Sequence, residues 1–341
     1  MMTFSKKRWT TALLLVSAGL AGGGCSRRPP APESNTQARL KSGKLRFFDL
    51  PNVDVRDVPL LMALDELAAQ GYTVEKIQMA SGALIADALA RGDADIGLVN
   101  SQTMWMAIAK GAPVRTIAKF TGPTTILAAT ADIGSCRGLD GKRLGVATTG
   151  GLNPSLLRLH FQKNCPGAEP RLFVIVESTG RAAALLAGEI DALIAPGEEF
   201  VKLEREVPGR FHALMSFAEE FPDVLVDCLH VRRRWAEQNR ECVRDFLRAL
   251  MRAQRRVVSR PELLVDESVK RLALDRATAE AVGQAHLRMA IWDTNGGPTV
   301  QNVQGTIDFL TEAASLPRGL KASDVADLSY LNEVLDEIGR Q

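Results

Sequence analysis

The run Ala88-Leu-Ala-Arg-Gly-Asp-Ala-Asp-Ile-Gly-Leu-Val-Asn100 returns, altered but recognisable, as Ala184-Leu-Leu-Ala-Gly-Glu-Ile-Asp-Ala-Leu-Ile-Ala-Pro196. Ala, Leu, Gly and Asp recur in place, and Asp93 is answered by Glu189. Both copies read alike physically. An Ala/Leu-rich helix stops at a Gly, where a positive φ costs little. A short acidic turn follows, then an apolar strand, then a polar residue or Pro where the strand ends. The flanks agree. Ahead of the first copy lie a strand at 74–79 and the cap-like Ser81-Gly82; ahead of the second, a strand at 172–176 and Ser178-Thr179-Gly180. Each half opens with a further strand, at 45–49 and 143–147. The result is β-α-β-α-β made twice, the pattern of two doubly wound α/β lobes.

The chain has 341 residues, room for two domains of ordinary size. It is 46% hydrophobic and 24% charged, a globular composition. A net charge of +2 and the lack of a basic–aromatic module argue against a dedicated nucleic-acid binder. No G-x-S-x-G, H-E-x-x-H or P-loop sequence is present.

Residues 1–25 read as an export signal: Lys6, Lys7 and Arg8 are followed by an apolar run at 11–20 that is too short to span a bilayer. Ala21-Gly22-Gly23-Gly24 before Cys25 is similar to a bacterial lipobox, with Gly22 where Leu is common. That resemblance implies lipidation at Cys25 and a protein held as a lipoprotein on the extracytoplasmic face of a membrane. Residues 26–43, with Arg27-Arg28-Pro29-Pro30-Ala31-Pro32 and no apolar period, read as a flexible linker. Without Cys25 the five cysteines become an even four, Cys136, Cys165, Cys228 and Cys242, which suits an oxidising compartment. Cys136–Cys165 and Cys228–Cys242 are the candidate pairs, against free buried thiols. No C-x-x-C and no His at ligand spacing points to a metal.

Gly92-Asp-Ala-Asp-Ile-Gly97, Gly111-Ala-Pro-Val114, Leu139-Asp-Gly-Lys-Arg-Leu-Gly-Val146 and the 184–192 stretch, in this order, resemble the ABC-transporter solute-binding proteins of the nitrate/sulfonate/taurine type, a group that also takes in thiamine-pyrimidine-precursor binders. The resemblance is clear over about 44–260. It implies a type II periplasmic-binding-protein fold, with lobe 1 from 44–131 and 223–341, lobe 2 from 132–222, C-terminal helices on lobe 1, and hinges near 128–132 and 222–225. It further implies a monomer without cofactor that carries a small anionic or heterocyclic ligand to a membrane permease and catalyses nothing. A sensor module for a membrane receptor, or an enzyme of the pyrimidine-synthase or deaminase two-lobe class, is the alternative.

In doubly wound sheets ligands sit outside the carboxyl ends of the strands. Here those ends carry Asn52, Ser81, Gly82, Asn100, Ser101, Thr148, Thr149, Gly150, Gly151, Thr179 and Pro196. Most precede a helix, whose free N–H groups and dipole suit an anion without a formal cation. Several of these residues also read as plain N-caps. Asn100 and Thr149 stand out: Ser101 is available to cap the helix after Asn100, and Asn153 with Pro154 is expected to start the helix after Thr149. Phe47, Phe48, Trp105 and Trp292 are candidates for an apolar pocket wall. Arg240, Arg244, Arg248 and Arg252 recur every four residues, as a solvated helix face or a permease-docking stripe.

Overall fold

The computed structural model describes residues 43–51 and 53–341. The signal-like segment 1–25 with Cys25, the linker up to 42, and Asn52 lie outside the described residues. The first half runs β1 (Lys44–Asp49), a 3₁₀ turn (Val55–Asp57), α1 (Val58–Ala69), β2 (Thr73–Gln78), α2 (Gly82–Arg91), β3 (Ile96–Asn100), α3 (Ser101–Ala109) and β4 (Val114–Thr121). The second runs β5 (Thr125–Thr130), β6 (Arg143–Val146), α4 (Leu152–Asn164), β7 (Arg171–Val174), α5 (Ser178–Leu186), β8 (Ala192–Pro196), α6 (Gly197–Glu206), β9 (Phe211–Ser216) and the short α7 (Phe217–Glu220). The chain returns as β10 (Asp227–Arg232) and ends in helices: α8 (Arg233–Gln238), α9 (Arg240–Ser259), α10 (Pro261–Leu272), α11 (Arg276–Arg288), α12 (Val300–Glu312), α13 (Ala322–Val325) and α14 (Ser329–Ile338).

The strands form two five-stranded sheets, β2-β1-β3-β10-β4 and β7-β6-β8-β5-β9. The two orders correspond strand for strand, with β10 and β5 in equivalent places, each antiparallel to its neighbours. The duplicated stretch does in both lobes what its residues ask. Helices α2 and α5 are followed by left-handed glycines, Gly92 (φ 88°) and Gly188 (φ 72°). The aspartate of each turn then reaches back to the first strand. Asp95 accepts from the Arg46 backbone N–H at 2.9 Å and from its guanidinium at 3.0 and 2.5 Å. Asp191 accepts from the same three positions of Arg143 at 2.8, 3.0 and 2.8 Å. These are bidentate, charge-assisted bonds.

Several expectations are corrected. β5 pairs with β8 and β9, so the first crossing falls between Thr121 and Thr125 rather than at 128–132. The C-terminal helices do not all stay on lobe 1. The methyl end of Met289, just after α11, lies against Gly197 at the start of α6, and Thr278 of α11 accepts from Arg205 of α6 at 2.8 Å. Val303, Ile307 and Leu310 of α12 share one apolar cluster with Leu156 of α4 and Phe217 and Leu225 of the second crossing. The arginine stripe is only partly a solvated face: Arg240 and Arg252 are exposed, whereas Arg244 and Arg248 are half-buried, and all four have acidic neighbours. Arg240, Arg244 and Arg248 pair with Glu333 and Glu337 of α14, and Arg252 lies 3.7 Å from Glu66 of α1.

Phe47, Phe48, Trp105 and Trp292 are core residues, not pocket walls. Trp105 Nε1 donates to Thr116 Oγ1 at 2.9 Å, which leaves that hydroxyl to donate to His230 Nδ1 at 3.0 Å. His230 Nε2 then donates to Val99 O at 3.1 Å, so burial holds this imidazole neutral, its pKa lowered to about 3. Cys136 and Cys165 form a disulfide. Cys228 and Cys242 are buried and not joined by a disulfide. Their pairing fails because they sit in different apolar layers, Cys228 in the one shared with α2 and α3, Cys242 in the one between the first sheet and α9.

Asp95, 2% exposed, should be the costlier aspartate to neutralise: Asp95→Asn is expected to lose about 2–4 kcal/mol, and the more exposed Asp191→Asn about 1 kcal/mol. Bonding to Arg143 lowers the Asp191 pKa to about 2. A depressed carboxylate contributes fully above its unfolded value, about 4, and the contribution fades as pH falls toward 2. Urea unfolding of wild type and Asp191→Asn should therefore differ at neutral pH and converge near about pH 2.

Replacing both Cys136 and Cys165 by Ser should cost about 2–4 kcal/mol by the same measurement. Cys228 and Cys242 should react with a thiol reagent only after unfolding.

Candidate functional site

The carboxyl ends of the parallel strands of both sheets face a cleft of about 440 Å³, a volume suited to a small organic molecule. Lobe 1 brings Leu50, Arg56, Asn100, Gln102 and Thr103 to it. Lobe 2 brings the segments 146–148 and 150–154, with Arg181 and the end of β8 at Pro196. Thr124, Thr125, Val226 and Asp227 of the crossing region complete the wall. Of the residues expected at the site, Asn100, Thr148, Gly150, Gly151 and Pro196 are brought together here. Gly82 lines a side pocket of about 70 Å³ that shares Leu50, Arg56, Asn100 and Asp227 with the cleft.

Ser81, Ser101, Thr149 and Thr179 do not line the cleft. Ser81 Oγ accepts from the Leu84 N–H as the α2 cap. Ser101 is buried, and its hydroxyl donates to Leu225 O at 2.6 Å, tying α3 to the second crossing. It is thus Asn100, and not Ser101, that caps α3, through Oδ1 and the Thr103 N–H at 2.9 Å. Among the described residues the Asn100 side-chain amide nitrogen has no partner, and the residue lines the cleft. Thr149 and Thr179 are exposed. Asn153 does not cap α4 either. The helix begins at Leu152 with Gly151 as its cap residue, and the Asn153 amide donates to Thr125 Oγ1 at 3.2 Å.

Two arginines dominate the electrostatics, in opposite ways. Arg56 sits on the 3₁₀ turn that Trp292 steadies by donating to the Arg56 carbonyl at 3.1 Å. Its guanidinium lies 3.2 Å from both Asp54 and Asp227, which offset its charge. Burial pushes the Asp227 carboxyl up, and Arg56 opposes it. Arg181 of α5 is 5% exposed. It donates to three backbone carbonyls, Ile194 at 2.8 Å, Ile175 at 2.7 Å and Val176 at 2.8 Å. No carboxylate lies within ion-pair distance of it among the described residues. Burial lowers its pKa, with Glu199 and Glu177 acting from farther off. A cation of this kind, set at a cleft beside the N-terminus of α4, gives that wall positive potential. Sequence reading missed Arg181, Arg56, Asp227, Gln102 and Asn153. The one available signal was the position of Arg181 in the first turn after Ser178-Thr179-Gly180.

A family model described as NMT1/THI5 like matches residues 67–263, more than half of the chain. The chain belongs to this family. No match is found among curated proteins by sequence. Among solved structures, an alkanesulfonate-binding protein SsuA from Xanthomonas axonopodis pv. citri, bound to MOPS, matches with a TM-score of 0.63 at 17% identity, over 83% of this chain and 97% of the other. The ligand-binding component of an ABC-type import system from Staphylococcus aureus, with zinc bound, matches at 0.67 and 15%, over 86% and 99%. The periplasmic nitrate-binding protein NrtA from Synechocystis PCC 6803 matches at 0.65 and 15%, over 88% and 89%. The fold of this NMT1/THI5-like chain is therefore the two-lobe α/β fold of periplasmic binding proteins.

Gly151 has φ 104° and ψ −174°, a combination almost closed to L-residues, whereas a Cβ on Gly150 would meet nothing within 4 Å. Gly151→Ala should lose about 1–3 kcal/mol and Gly150→Ala almost nothing. Thermal unfolding of the two variants compares them directly.

Proposed function

We propose that this chain is the extracytoplasmic solute-binding component of an ABC importer, and that it holds a small organic anion between its lobes. Arg181 carries the reading. A guanidinium removed from water and bonded only to neutral carbonyls is costly unless an anion completes it, and it stands at the wall of the interlobe cleft. The Gly150–Gly151 approach to the start of α4 supplies further positive potential beside it. The opposite wall, with Asp227 and the uncommitted Asn100 amide, suits a neutral or hydrogen-bonding end of the ligand. Among the described residues the cleft wall contains no His, Cys, Ser or Lys, which favours capture over covalent chemistry. The sulfonate- and nitrate-binding proteins that share the fold support anion recognition. The import-system component supports delivery to a permease. The signal-like N-terminus supports export, with lipidation at Cys25 as the anchor.

Calorimetric titration of the purified chain with short alkanesulfonates, nitrate, carboxylates and a pyrimidine should find binding among the organic anions. Asn100→Asp should weaken that binding by about 1.5–3 kcal/mol, since a carboxylate replaces a donor at the cleft, while the helix cap is kept. Arg181→Lys should weaken it as well. A wild type that binds none of the anions, or binds only the uncharged heterocycle, would refute the reading.

A further inference from the structure

Strand β7 lies at the edge of the second sheet, hydrogen-bonded to β6 alone. Its counterpart at the edge of the first sheet, β2, is guarded by charge. Glu75 pairs with Lys44 at 2.8 Å, and Lys76 lies 3.4 Å from Asp49. A charged edge is the usual protection against strand-to-strand association. β7 has none along its middle. Leu172, Phe173, Val174 and Val176 are exposed, and they make up half of the exposed large apolar side chains among the described residues.

The backbone phase of this edge is set by the sheet. Arg171 N–H donates to Lys142 O and Ile175 N–H to Val146 O, so the odd-numbered residues face β6 and Leu172 and Val174 turn their peptide groups outward. Arg181 draws the Val176 carbonyl inward, leaving its N–H on the open side. The segment reads Arg171-Leu-Phe-Val-Ile-Val-Glu177. Laid antiparallel on itself about Val174, it sets Val174 opposite Val174, Leu172 opposite Val176, and Arg171 opposite Glu177. The outward-facing residues fall on the hydrogen-bonded positions. The two charged pairs fall on the non-hydrogen-bonded positions, where facing side chains come closest. Arg171 and Glu177 have no ion-pair partner within the chain among the described residues, and both are exposed.

We infer that β7 is the pairing edge of a two-fold dimer of this chain, its two lobe-2 sheets joined antiparallel about Val174 with reciprocal Arg171–Glu177 ion pairs. The contact departs from the monomer that the sequence led us to expect. Strand pairing alone makes a small interface, so the association is a weak one.

Sedimentation velocity of the purified full chain, from about 1 μM to about 1 mM, tests this. Dimer is expected to grow in with concentration. Val174→Pro removes an N–H that faces outward, so the sheet keeps its own bonds. This variant should melt near wild type yet remain monomeric. Arg171→Glu, which sets like charges opposite each other twice, should weaken association about tenfold. Combining it with Glu177→Arg should restore association. A wild type that stays monomeric throughout would overturn the inference. So would a dimer indifferent to Val174→Pro, or one that the double exchange fails to restore.

Discussion

The Arg–Asp clasp made once in each lobe is the interaction from which the rest of the structure follows. Asp95 and Asp191 each accept three hydrogen bonds from one arginine on the first strand of their lobe. Their backbones take part too. Asp95 N–H donates to Arg46 O and Asp95 O accepts from Arg232 N–H; Asp191 N–H donates to Arg143 O and Asp191 O accepts from Thr130 N–H. One residue thus joins the first strand, the third strand and the incoming antiparallel strand at a single end of the sheet. Strand pairing slips in steps that turn every side chain to the other face. A bidentate clasp at the amino end removes that freedom. It leaves the opposite ends of the strands in line, and the cleft forms there.

The antiparallel strand is where the lobes exchange chain. β5 leaves the first half to occupy the fourth place of the second sheet, and β10 returns to occupy the fourth place of the first. Such an exchange alone would leave two narrow links. Here the C-terminal segment braces them. Gly122 donates to Ile291 O at 2.7 Å, Leu225 to Thr306 Oγ1 at 3.1 Å, and the Asn302 amide to Asp223 at 3.1 Å. Relative movement of the lobes must carry these contacts with it. The contacts of α11 with α6 place the same restraint on the side of the cleft that holds Arg56.

The parts of this architecture that were legible in the sequence are those carried by local patterns. Gly92 and Gly188 marked the helix ends, and Asp95 and Asp191 stood at matching places in the duplicated run. The two crossing segments beyond the repeat were carried by the family resemblance. What was illegible depends on tertiary surroundings that local patterns do not announce. Arg240, Arg244 and Arg248 look like a surface stripe until α14 supplies Glu333 and Glu337. Cys228 and Cys242 are close in sequence but lie in separate apolar layers. Asn100 took the cap expected of Ser101 because the Ser101 hydroxyl donates to Leu225 O across the crossing. Arg181 is the extreme case. Its three partners are carbonyl oxygens, which every residue possesses, so only its place just after Ser178-Thr179-Gly180 hinted at it.

That anonymity also bears on what Arg181 does. A carboxylate partner would have offset its charge, as Asp54 and Asp227 offset that of Arg56 across the cleft. Carbonyl oxygens orient a guanidinium and satisfy its N–H groups without cancelling its charge. The same α5 residue therefore ties the segment after β7 to β8 and brings positive potential to its wall of the cleft. An acid placed beside it would strengthen the fold locally and abolish that potential. In the role proposed above, an incoming anion is the partner this cation lacks, since no carboxylate lies within ion-pair distance of it among the described residues. Because Arg181 belongs to lobe 2 while Asn100 belongs to lobe 1, a ligand long enough to meet both gains its full set of bonds only with the lobes together. A ligand shifts a conformational equilibrium only by the bonds it makes in one state and not the other. In the proposed role, a site divided between lobes would tie ligand capture to closure of the cleft.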